Sequence, residues 1–340
     1  MKTAMCNITQ ISRDATCGST AQRPRDVLLS DMNLPHSKLF FPLGYGIEII
    51  TNDQTVIRAA SESFGHGHNS RGGPTLQIRI GVIRTDSSVC PPEPKRREFE
   101  HLYSLVADAD NQALLDLKTC TSFAWVTDAA VDNLLYFRHN FLEKIVYLLL
   151  GASVVIDIHA ACVSRHGKGI LLCGDSGAGK STLAYACART GWTYTSDDTS
   201  YLINDSKVPH VVGHSHRVRF RPSAKAIFPE LECFMVTPRM EGKPSIEVPI
   251  SELPVPSTSA EAEVNIIIYL RRLRSGSGQL VRLPNGTAAD RACQGLYSSG
   301  EIRRKHEKIL QRFSVIPTYE LQYANLDDAI RLLEILTRDA

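Results

Sequence analysis

Apolar and polar positions alternate early in this chain and give way to solid apolar runs later. Gly46–Thr51 (GIEIIT) and Thr75–Ile83 (TLQIRIGVI) alternate with the period of a strand, and the second predicts one wet face. Between them Asn52-Asp53 predicts a turn and Thr55–Phe64 a helix, and Leu114–Val126 predicts a further strand pair. Past Leu134 the pattern changes. Asn140–Leu150 predicts a buried helix, Ser153–Val163 and Ile170–Cys173 predict buried strands, and Trp192–Ser196 and Ser200–Asn204 predict short ones. Ala262–Leu270 (AEVNIIIYL) predicts another buried strand, Ala289–Phe313 a helix, and Tyr319–Tyr323 a terminal strand. Apolar residues at Ala329, Ile330, Leu332, Leu333, Ile335 and Leu336 give the last helix one packed face, with Asn325 or Asp327 as its cap. The expected organisation is a polar lead-in over 1–33, a strand-rich module over 34–135, and an α/β domain over 136–340.

The strand Ile170–Cys173 runs directly into Gly174-Asp175-Ser176-Gly177-Ala178-Gly179-Lys180-Ser181, and helix formers from Thr182 to Arg189 follow. This is the full G-x-x-x-x-G-K-[ST] phosphate loop in its strand, loop, helix setting. A loop that wraps phosphates must aim consecutive backbone N–H groups inward, and glycine takes the required conformations without a Cβ clash. Lys180 is expected at the outer phosphates, the Ser181 hydroxyl on Mg²⁺, and Gly174–Thr182 around the nucleotide, at the positive end of the following helix. The motif predicts bound ATP.

Two further features stand close by in sequence. Asp197 and Asp198 follow after one helix and one short strand, and the apolar run just upstream of the loop carries His159. A strand with a histidine, then GDSGxGKS, one helix and an Asp-Asp pair resembles the HPr kinase/phosphorylase family over about Ile156–Leu202. The resemblance implies a phosphate-loop nucleotide-binding domain of the HPr kinase and phosphoenolpyruvate carboxykinase type. It implies Asp197 as the carboxylate that takes the acceptor's proton, Asp198 with Ser181 on the metal, and His159 beside the reacting group. The acceptor so implied is a serine or other hydroxyl of a protein or peptide. The same scaffold also suits a small-molecule kinase or a non-catalytic ATP-binding regulator.

Departures from the family pattern bear on this choice. Thr182 stands where the family has a glutamate, and no E-x-R-G-x-G segment follows Leu202. In its place Val211–Arg221 (VVGHSHRVRFR) offers cations and no carboxylate. Losing both carboxylates argues for forward transfer alone, or for binding alone. Arg217, Arg219 and Arg221 alternate on one face of an extended segment, where they meet phosphate or line a solvated edge. Arg271 emerges at a strand end, where α/β ligand sites gather.

Composition removes other classes. A net charge of +2 gives no field that implies nucleic acid or an acidic membrane. The nine cysteines show no C-x-x-C spacing, and several sit in apolar runs, as reduced thiols of a cytoplasmic protein do. Ile145–Ile158 is broken by Gly151 and Asp157 and falls short of the ~20 residues of a membrane span. Gly65-His66-Gly67-His68 reads as a solvated loop without a third ligand. The sequence leaves a homo-oligomer open.

Overall fold

The structure, a computed structural model, describes residues 32–73, 75–237 and 244–339. Most of the polar lead-in, residues 1–31, lies outside the described residues. The chain forms a mixed α/β fold with several mixed sheets.

The first sheet comprises β1 (His36–Phe40), β2 (Ile47–Thr51), β3 (Leu76–Ile83), β4 (Lys95–Phe99), β5 (Leu102–Val106), β6 (Gln112–Asp116) and β7 (Thr121–Thr127). Its order is β1-β2-β3-β7-β6-β5-β4, with β2, β3 and β7 parallel and the rest antiparallel. Helix α1 (Gln54–Phe64) crosses between β2 and β3, and the Asp53 carboxylate caps it by accepting from the Thr55 N–H at 2.7 Å. The β4–β5 hairpin has no counterpart among the sequence expectations. All five residues of β4 are exposed, so burial leaves no alternating signature there.

Helices α2 (Asp128–Asp132), α3 (Leu134–Phe137) and α4 (Glu143–Ser153) follow, and a π-turn over Arg138–Leu142 joins the last two. The helical run is thus longer than the expected Asn140–Leu150. Phe137, Phe141, Ile145, Val146 and Leu149 pack in one core with Ile47, Ile49, Ile78 and Ile80 of the first sheet, and Val155, Tyr201, Ile203 and Val212 join it.

The second sheet is built from β8 (Val155–Ile158), β9 (Ala160–Arg165), β10 (Lys168–Cys173), β11 (Thr193–Ser196), β12 (Ser200–Ile203) and β13 (His210–Val212), with β16 (Glu261–Arg272), β17 (Gln279–Arg282) and β18 (Thr318–Tyr323). A separate two-stranded sheet joins β14 (Arg217–Phe220) to β15 (Ile246–Pro249). Helix α5 (Lys180–Arg189) links β10 to β11, α6 (Thr287–Gln294) and α7 (Gly300–Leu310) precede β18, and α8 (Leu326–Asp339) ends the description. Asn325 caps α8, accepting from the Asp328 N–H at 2.8 Å.

Strand β10 is held between β9, antiparallel, and β16, parallel. Ile170, Leu171 and Leu172 are fully buried between these neighbours, so the loop after β10 springs from a fixed base. The apolar run Ser153–Val163 differs from expectation. It is the end of α4 and two strands, β8 pairing with β12 and β9 with β10 and β11, and the chain bends between them at His159. The expected helix Ala289–Phe313 is likewise two helices, broken over 295–299.

Candidate functional site

At the end of β10 the backbone must turn sharply to start α5. Gly174 sits at φ +152°, and a Cβ there would come within 2.9 Å of the Ala178 Cβ. Gly179 sits at φ +100°, and a Cβ would meet the Tyr323 hydroxyl at 2.6 Å. That hydroxyl donates to the Ala178 carbonyl at 3.3 Å, so β18 buttresses the turn from behind. Asp175, Ser176 and Gly177 form its exposed tip, with Ala178 folded back by a hydrogen bond from its N–H to the Asp175 carbonyl. Gly179 has no side chain to cap α5, which leaves the first-turn N–H groups of Lys180, Ser181 and Thr182 to the positive helix end. Replacing Gly179 by alanine imposes backbone strain and a hydroxyl clash, about 1–3 kcal/mol of folding stability. Tyr323→Phe in the same background is expected to recover part of the loss in denaturant unfolding. No recovery would place the cost in the backbone angle alone.

Lys180 is buried, and its ammonium donates to the Gly174 carbonyl at 2.7 Å, the Asp175 carbonyl at 3.2 Å and the His159 Nε2 at 2.9 Å. On the far side of the imidazole, Nδ1 lies 3.6 Å from the Asp198 carboxylate. Burial and the Lys180 charge push the His159 pKa down, which keeps the ring neutral with Nε2 as acceptor and Nδ1–H toward Asp198. Lys180 is also pushed down by burial, against the opposing pull of Asp198 and other anions. The bend that splits β8 from β9 is what places His159 here, between a cation and a carboxylate.

Asp197 and Asp198 stand at the end of β11, and the two carboxylates have different surroundings. Asp198 is half exposed, whereas Asp197 is buried. The Asp197 carbonyl accepts from the Ser181 hydroxyl at 3.2 Å, which ties the pair to α5, and its Oδ2 accepts from the Arg219 N–H at 2.9 Å. Burial pushes the Asp197 pKa up to about 6, aided by the neighbouring Asp198 charge and opposed by the Arg219 N–H. A carboxylate so poised is a base above pH 6 and an acid below it. Any activity that needs the base is expected to fall as pH drops through about 6, read as the acid limb of kcat/KM. The linkage to stability has the opposite sense. Between the ordinary carboxyl value of 3.8 and about 6 the folded chain holds the extra proton, so this group's stabilising contribution declines as pH rises through that window.

Beside Asp197 opens a cleft of about 680 Å³. One wall is a stripe of the α4 region, His139, Asn140, Glu143, Lys144 and Tyr147, which begins within the π-turn. Arg217 and Arg219 of β14 line it as well, as do Arg96 and Glu98 of β4. Glu143 is buried and is hydrogen-bonded to Ser63 at 2.8 Å, with Arg138 and His139 also on its oxygens. Burial would raise its pKa, but the His139 hydrogen bond and the Arg217 charge hold it well below the usual carboxylate range.

Of the three alternating arginines, Arg217 and Arg219 share Glu247 on β15, at 3.1 and 2.6 Å. Arg221 lies just past the strand, its Nη2 3.5 Å from the Ser176 hydroxyl at the loop tip. Arg271 instead pairs with Glu320 at 3.5 Å. His66 and His68 lie in an exposed loop, and the His66 ring rests 5.0 Å from that of His216. Among the described residues no cluster of three or more His, Cys, Asp or Glu could hold a metal ion by itself. The donor set near the loop is the Ser181 hydroxyl with the Asp198 carboxylate. It fits Mg²⁺, which takes few protein ligands and completes its shell with phosphates and water. The described cysteines are free thiols, and Cys162, Cys173 and Cys187 are buried. Among the described residues no helix is long and apolar enough to cross a membrane.

Sequence spacing gives little sign of the stripe on α4 or of Tyr297, which lines the same cleft. Sequence offers only a polar face on one helix as a hint, and the partners that make it a cleft lie far along the chain.

Compared with known proteins, the sequence matches no family model and no curated protein. Its fold is similar to that of a solved HPr(Ser) kinase/phosphatase from Coxiella burnetii, at 12% identity and a TM-score of 0.31. The match covers 54% of this chain and 88% of that one. The likeness is a distant structural one.

Proposed function

We propose that the chain is an ATP-dependent phosphotransferase that moves the terminal phosphoryl group of ATP to a serine or other hydroxyl of a protein or peptide. The observation that carries this reading is the station of Asp197, tied through Ser181 to the glycine-rich loop on one side and lining the cleft on the other. The loop N–H groups and Lys180 would bind and neutralise the phosphates, while His159 orients the Lys180 ammonium. Ser181 and Asp198 would hold Mg²⁺, which when bound neutralises phosphate charge. Asp197 would accept the proton of the acceptor hydroxyl as its oxygen bonds to the terminal phosphorus. The bond from that phosphorus to the bridging oxygen breaks, and its electron pair leaves with ADP. Positioning and charge supply most of the catalysis in such a transfer.

Thr182 and the cationic Val211–Arg221 segment favour forward transfer over the reverse reaction, since neither offers the carboxylates found in the family it resembles. The cleft volume favours one second reading, a small hydroxyl-bearing metabolite as acceptor, because about 680 Å³ lies in the range of small-ligand pockets. Incubating the protein with Mg²⁺ and terminally labelled ATP, once with a protein lysate and once with a metabolite extract, separates them. Label on a macromolecule upholds the first reading and label on a small product the second. Tight ATP binding without turnover on either would leave a nucleotide sensor.

A further inference from the structure

The Arg219 side chain is one quarter exposed, and its guanidinium has unfinished hydrogen bonding. Its Nε donates to Glu247 at 2.6 Å and its backbone N–H to Asp197, while Nη2 is buried and meets no hydrogen-bond partner among the described residues. A buried, permanently charged donor left unpaired is costly, and each such group calls for an explanation, a bound ion among them. Glu247 does not meet it: one carboxylate oxygen accepts from Arg217 and the other from the Arg219 Nε. The side chain also lines the cleft together with Asp197 and Asp198. Two residues on, Arg221 leaves the strand and directs its guanidinium at the loop tip, 3.5 Å from the Ser176 hydroxyl.

We infer that Arg219 and Arg221 form a clamp for the phosphoryl group in transfer, Arg221 from the loop side and Arg219 from the side of Asp197. This rests on the nucleotide reading above and deepens it. The pair occupies the segment that holds cations and no carboxylate, so fixed guanidinium charge does there what a second metal ion would otherwise require. Glu247 acts as a positioning residue, fixing the Arg219 fork by its Nε while the exposed quarter of the side chain is left to the cleft. The anion could in chemistry be the terminal phosphate of the nucleotide or an acidic group on the acceptor. The terminal phosphate is favoured because Arg221 reaches the loop itself.

The test uses the full-length protein and Mg²⁺ with ATP or ADP, titrated by calorimetry against native protein, Arg219→Met and Arg221→Met. Each variant is expected to bind ATP about tenfold more weakly while ADP affinity stays within about twofold. ADP with aluminium fluoride, which mimics the group in flight, should form a tight complex only with native protein. Arg219→Lys, which keeps the charge and loses the fork, should fall between. Unchanged ATP affinity in either variant, or equal weakening of ATP and ADP, overturns the inference. Equal weakening would mark a structural role, and unchanged affinity would leave the acceptor as the source of the anion. Native protein that binds neither nucleotide overturns the nucleotide reading and this inference together, whereas variants that behave as native overturn the inference alone.

Discussion

Asp197→Asn is expected to leave ATP affinity within about twofold of native and to lower phosphoryl transfer by about 10²–10⁴-fold, the range supplied by a positioned general base. The amide oxygen can still accept from the Arg219 N–H, so the local backbone should hold. Removing an ionisable group whose pKa is pushed up to about 6 also removes a buried charge at neutral pH. The variant should therefore melt no lower than native protein above pH 7, which separates lost chemistry from lost folding. Single-turnover transfer from Mg²⁺-ATP, measured beside nucleotide binding, reads both quantities. Full turnover in this variant would remove Asp197 from the mechanism, and an acid limb that persisted unchanged would confirm another group as its source.

Lys180→Ala is expected to act at the earlier step. The ammonium is buried, is the first residue of α5, and is the cation nearest the loop carbonyls of Gly174 and Asp175. Its loss should weaken Mg²⁺-ATP binding by about 10²–10³-fold, equivalent to about 3–4 kcal/mol of charge-assisted contact. It also strands His159 Nε2, whose pKa is held down partly by the Lys180 charge. The imidazole should then titrate nearer its ordinary value, visible as a shifted resonance in a pH series. Binding that survives with the shift present would mean that Lys180 organises the histidine and not the nucleotide.

The sequence announces the loop because every requirement there is local. Glycines at Gly174 and Gly179, the buried strand before them and the helix after all fall within one short segment, so spacing alone suffices. The Asp197-Asp198 pair is legible in position for the same reason, yet the contrast between its members is not. Burial of Asp197 comes from β14 and the cleft wall, and no neighbour in sequence predicts it. His159 shows the opposite limit. The mostly apolar run from Ser153 to Val163, with Asp157 and His159 inside it, reads as one strand and does not reveal that the chain changes partners in the middle. The bend exists because β8 pairs with β12 while β9 pairs with β10, a tertiary choice. The β4–β5 hairpin was hidden because an exposed charged strand looks like any solvated segment.

The flanking of β10 by β16 carries a consequence for synthesis of the chain. Gly169–Cys173 align with Val264–Tyr269, so the base of the glycine-rich loop borrows one of its two edges from a segment made much later. While the ribosome has yet to release Glu261–Arg272, the nascent polypeptide has its glycine-rich loop sequence in full, with β9 beside β10 but without the parallel strand on the other side. A message cut short before that point would yield a product with a bare apolar edge, prone to self-association.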